Sequence, residues 1–78
     1  MNEALKLIVS SIVDNPDEVE VREEEKDGVV NLFVKVSKED MGKVIGKEGK
    51  VIKAIRNVIK IIAMKQNKKV YISLEDLS

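Results

Sequence analysis

Seventy-eight residues admit one domain and one core. The absence of cysteine and histidine excludes disulfides and thiolate metal sites, and removes the commonest general base and the commonest transition-metal ligand, while one phenylalanine and one tyrosine exclude a broad aromatic stacking surface. The net charge is zero but divided: residues 1–40 hold five Lys/Arg against eleven Asp/Glu, and residues 41–78 hold nine against three. Such segregation suits an anionic partner, although solvated helices also carry lysines.

From the N-terminus, Leu5, Ile8, Val9 and Ile12 recur at helical spacing and predict a helix over 3–13. Asp14-Asn15-Pro16 ends it, because proline disfavours helix in the preceding residue. Val19 and Val21 alternate with charges and predict a strand over 17–25. Asp27-Gly28 suits a tight hairpin turn. Val30, Leu32, Val34 and Val36 share one face of a strand over 29–36. Ser37 is a candidate cap for a short helix from Lys38 to Val44-Ile45, with Asp40 near its positive end. Gly46 to Gly49 interrupts that helix. A longer one follows from Lys50 to Lys65, with Val51, Ile52, Ile55, Val58, Ile59 and Ile62 as its core stripe. Asn67 ends it, and a last strand over 69–74 turns Val70, Ile72 and Leu74 inward. The first two strands form an antiparallel hairpin. The two-helix crossover makes the second and third parallel. Helices on one face of a three-stranded sheet give a two-layer α+β domain over 1–78.

The informative stretch is Val44-Ile45-Gly46-Lys47-Glu48-Gly49-Lys50-Val51-Ile52. Two glycines three apart let the chain turn sharply and let a sugar-phosphate backbone come close. The loop ends at the N-terminus of the long helix, where backbone N–H groups and the dipole favour an anion. Lys47 and Lys50 add full charge. A GxxG alone is better explained by a helical corner. Here it lies between two helices, follows Val-Ile, precedes x-x-Ile, and has a strand on either side.

In that order, α-β-β-α-α-β, the chain resembles a KH domain of the type II arrangement. Ile45 to Ile52 matches the family's IGxxGxxI signature at every defined position. A KH domain of this size is similar to the KhpA family of small bacterial RNA-binding proteins. The resemblance implies single-stranded RNA as ligand, about four nucleotides clamped by the loop. It implies phosphate contact at Gly46, Lys47, Glu48 and Gly49, with Lys43, Lys50 and Lys53 adding charge. Val44, Ile45 and Val51 would floor an apolar groove, the edge of the last strand would meet base edges, and Lys68 and Lys69 would flank the exit. It also implies a larger KH-containing partner of the KhpB family, RNA chaperoning, and a link to cell shape and cell-wall synthesis. Glu48 departs from a purely basic loop and should temper affinity. Arg56 and Lys60, like Lys53, read as a solvated face that assists electrostatically. Glu23-Glu24-Glu25 reads as a solvated strand end that keeps RNA off that side.

A second class is a KH-shaped module for protein contact, a homodimer included. Ala54 and Ile61 support it, since they are apolar outside the core stripe, with Met64 opposite the core. An enzyme is poorly supported, because acid–base work would fall to carboxylates and lysines in no evident constellation. No cofactor, metal or small-molecule substrate is expected. No apolar run approaches the ~20 residues of a membrane span, and Met1-Asn2-Glu3-Ala4 does not open a secretory leader. The expectation is a cytoplasmic protein.

Overall fold

Strict alternation fixes the centre of the sheet. In β2 (Val29–Val36) Val30, Leu32, Val34 and Val36 are all fully buried, while the residues between them are half-buried, as a strand with one covered face requires. β1 (Glu20–Lys26) pairs antiparallel with β2 across Asp27-Gly28, whose φ values of 53° and 76° make the mirror-image turn that matches strand twist. β3 (Lys69–Asp76) pairs parallel with β2 on the other side, with Val70 opposite Val30 and Ile72 opposite Leu32. The sheet order is β1-β2-β3.

The computed structural model describes residues 1–76, so the last two positions of the expected 1–78 domain lie outside the described residues. α1 (Asn2–Ile12), α2 (Met41–Ile45) and α3 (Lys50–Lys65) complete the order α-β-β-α-α-β of a two-layer α+β domain. Leu5 and Val9 of α1, Val44 of α2, and Ile52, Ile55 and Ile59 of α3 pack with the inward residues of the sheet in one core. Among the described residues no helix is long and apolar enough to cross a membrane.

Four expectations need correction. Asp17 and Glu18 belong to a 3-10 turn, Pro16–Glu18, and the strand starts at Glu20. Proline at the first position presets φ for that turn, and Val19 N–H closes it on the Pro16 carbonyl. Ser37 does not cap a helix. Its hydroxyl donates to Asp40, and Lys38–Asp40 is a 3-10 turn leading into α2. Ile12, expected on the buried face of α1, lies exposed in its last turn. Val58 is 46% exposed, and the buried residues of α3 are Ile52, Ile55, Ile59 and Ala63. At ~100° per residue this arc is centred about 45° from Ile55 toward Ala63, which carries Val58 out of the core.

Candidate nucleic-acid interface

The GxxG loop is held by backbone geometry. Gly46 has φ 76°, and a Cβ there would lie 2.3 Å from Val51 Cγ2 and 2.9 Å from the Val51 backbone nitrogen. Glycine is therefore required for both conformation and space. Gly46 N–H closes α2 on the Gly42 carbonyl at 2.8 Å, and Gly49 N–H returns to the Gly46 carbonyl at 3.2 Å. Gly49, φ 74°, has no crowding around its missing Cβ, so conformation alone selects it. Glu48 also sits in the left-handed region, at φ 59°. That region costs a non-glycine residue about 1–2 kcal/mol. The turn delivers the chain into α3 with no side-chain cap, which leaves the positive end of a 16-residue helix beside the exposed Lys47 and Lys50.

Further along α3, a groove of about 650 Å³ opens between its second half and β3. Arg56, Asn57, Lys60 and Met64 form one wall, and Lys68 to Ile72 the other. Among the described residues β3 pairs only with β2, so its second edge borders the groove with backbone donors and acceptors unpaired. Lys47, Lys50, Lys53, Arg56, Lys60 and Lys69 have no ion-pair partner among the described residues.

The other expected residues divide. Ile45 is exposed at the shoulder of the loop, and Val51 is half-buried against Gly46. Val44 is fully buried in the core. It packs in the shared core and cannot itself touch a ligand, which corrects its place among contact residues. Lys43 bonds Asp14 and lies 4.0 Å from Asp40. The hydrogen bond that its ammonium donates to the Asp14 carboxylate holds its pKa above the usual value. Lys68 lines the groove yet pairs with Glu25 at 2.8 Å. Both lysines are already partly neutralised.

Asp40 anchors the whole arrangement. It is 1% exposed and opens α2. Burial alone would raise its pKa, but Asp14 N–H, Asn15 N–H, the Ser37 hydroxyl and the Asn15 amide all donate to it and together hold it below the ordinary carboxylate value. The α1–β1 junction is thereby tied to the helix that carries the loop.

Arg56 and Lys60 are groove residues as well as solvated ones, and Asn57, Met64 and Tyr71 were not anticipated as lining. Their signal was present at i, i+4, i+8 (56, 60, 64), one flank of α3. Only the placement of β3 beside that flank gives it meaning. Ala54, Val58 and Ile61 lie exposed on the other flank, with Ile61 about 165° from the centre of the buried arc.

The sequence profile described as KhpA/KhpB, KH domain, matches residues 2–74. The chain belongs to the KhpA/KhpB KH-domain family. It is 49% identical over 74 residues to the RNA-binding protein KhpA of Clostridium perfringens, covering 95% of this chain and 99% of that one. The KhpA of Clostridium acetobutylicum is 50% identical over the same coverage, and that of Chlamydia trachomatis 40%, with 95% of each chain covered. Among solved structures, Aquifex aeolicus Era shares the fold of this KH domain with a TM-score of 0.67 at 18% identity, over 96% of this chain and 29% of that one. A structure of Era with a segment of 16S ribosomal RNA gives 0.62 at 20% identity, again spanning 29% of Era. At these identities the likeness to Era concerns the fold.

Proposed function

We propose that the chain binds single-stranded RNA, seating about four nucleotides with their phosphates on the Gly46–Gly49 loop and their bases along the β3 edge. The observation that carries this reading is the left-handed Gly46, packed without room for a Cβ on Val51, at the start of the helix whose second half walls a basic groove with an unpaired strand edge. A backbone can approach a glycine loop closely, the α3 terminus and Lys47 and Lys50 attract it, and Lys53, Arg56, Lys60 and Lys69 continue the positive track. The relatives named as RNA-binding proteins KhpA support the same reading. It is tested by anisotropy titration with a labelled single strand and with a duplex of the same sequence. Saturable binding of the single strand and much weaker binding of the duplex is expected. Equal binding of both, or none, overturns it. The family resemblance extends the proposal to an RNA chaperone or post-transcriptional regulator in the cytoplasm, linked to cell shape and cell-wall homeostasis and working with a KhpB-type partner.

A second reading is favoured by Ala54, Val58 and Ile61, exposed on the flank away from the groove. We read this stripe as a homodimer contact in which the small Ala54 lets a second α3 approach. A contact there leaves the groove open, so dimerisation and RNA binding are compatible.

A further inference from the structure

Both aromatic residues of the chain, Phe33 and Tyr71, fall on strand positions that alternate with the core residues, and so on the sheet face that carries no helix. They are diagonal neighbours, because Tyr71 stands opposite Asn31 and Phe33 opposite Ser73. Their surroundings differ. Phe33 is half-buried under the Arg22 guanidinium, 4.5 Å from its ring centroid. Tyr71 is 59% exposed. An exposed tyrosine on an edge strand is by itself an ordinary β-former. Tyr71 is distinguished by its position at the lip of the groove, where it and Lys69 belong both to the groove wall and to the open face. On β2 and β3 the positions around it are Val29, Asn31, Phe33, Lys69 and Ser73, with no acid among them. The nearest carboxylates on this face are Glu24, across the sheet from Asn31, and Glu75, beyond Ser73.

We infer that an RNA strand longer than the groove continues over the β3 edge onto the open sheet face, where one unpaired base stacks on the Tyr71 ring. Lys69 supplies the charge for the adjoining phosphate, and Asn31 offers hydrogen bonds to the base edge. The subsite is sequence-tolerant, because every base presents a flat π-face. It rests on the groove reading and extends it. The chain has one tyrosine and no tryptophan, so its own fluorescence reports contact at Tyr71.

The experiment compares oligouridylates of about four and about ten nucleotides. With the wild type, tyrosine fluorescence is expected to be quenched by the longer strand and little changed by the shorter. Tyr71→Ala should weaken the longer strand at least about fivefold, within the range for loss of one stacked base, and weaken the shorter, which meets β3 through its backbone edge, by clearly less. Tyr71→Phe should keep the affinity of the wild type. If Tyr71→Ala binds both lengths as the wild type does, the subsite is wrong and the groove reading stands. If it weakens both lengths equally, Tyr71 belongs to the groove and the extension is wrong. A wild type that binds neither strand overturns the groove reading and the subsite together.

Discussion

Gly46 and Val51 are in contact so close that a methyl group at position 46 would fall 2.3 Å from Val51 Cγ2. The clash cannot be relieved by a rotamer change alone, because the Val51 backbone nitrogen is also only 2.9 Å away. Gly46→Ala is therefore expected to destabilise the fold by about 1–3 kcal/mol, from overpacking and a left-handed φ together. Gly49→Ala meets only an ordinary contact, Ile52 Cγ2 at 4.0 Å, and bears the conformational cost alone, about 1 kcal/mol. Thermal unfolding of the two variants checks the order; equal stability would show that the Gly46–Val51 contact is not formed.

Asp40 gives a pH dependence. Its folded pKa lies below the ordinary 3.8, because its four donors outweigh the effect of burial. A depressed carboxylate contributes stability that is fully present above the unfolded value and is lost as pH falls through the folded one. Wild-type stability should thus decline from about pH 4 downward in part because of Asp40. Asp40→Asn removes that share: the variant is less stable at neutral pH and its acid unfolding is shallower. Denaturant midpoints between pH 2 and pH 7 measure this, and parallel curves for the two proteins would contradict it.

Salt separates paired lysines from unpaired ones. About three to four phosphate contacts on a single strand give a slope of log K against log salt of roughly −2 to −3. Lys47→Gln should lower its magnitude by about 0.7. Lys43→Gln should change it much less, since Asp14 already holds the Lys43 ammonium. Equal effects of the two substitutions would mean that Lys43 leaves Asp14 for the RNA.

The α3 flank opposite the groove is addressed by sedimentation. Ile61 is 56% exposed beside Ala54 and Val58, and Ile61→Asp puts a charge into the proposed dimer contact without touching the core. A wild-type dimer that the substitution converts to a monomer with unchanged RNA affinity is expected. A monomeric wild type at high micromolar concentration, or a variant that dimerises as well, would remove the dimer reading.

Much of this fold was legible in the sequence because its signals are local and periodic. The alternation from Val30 to Val36 and the glycine spacing at 46 and 49 each name an element without reference to any other. What was not legible depends on contacts distant in sequence. Ser37 has the chemistry of a cap, and only the arrival of Asp14 and Asn15 at Asp40 diverts it into a buried network. Val58 fits the helical stripe, and only the position of the sheet shows that the arc is centred toward Ala63. Lys43 and Lys68 look like free phosphate ligands until Asp14 and Glu25 are seen beside them. The groove wall at Arg56, Asn57 and Lys60 exists because β3 returns alongside α3.

In the proposed function the glycine loop is where RNA phosphates are held. Replacing Lys47 and Glu48 together by aspartate reverses the charge at one position and keeps it at the other, and aspartate tolerates the left-handed φ of position 48 better than glutamate does. The direct measurement is the Kd for a single-stranded oligonucleotide, taken with the unfolding midpoint of the same protein. A rise in Kd of at least about tenfold, or ~1.4 kcal/mol, at an unchanged midpoint is the predicted result. An unchanged Kd with the fold intact would contradict the assignment of the loop.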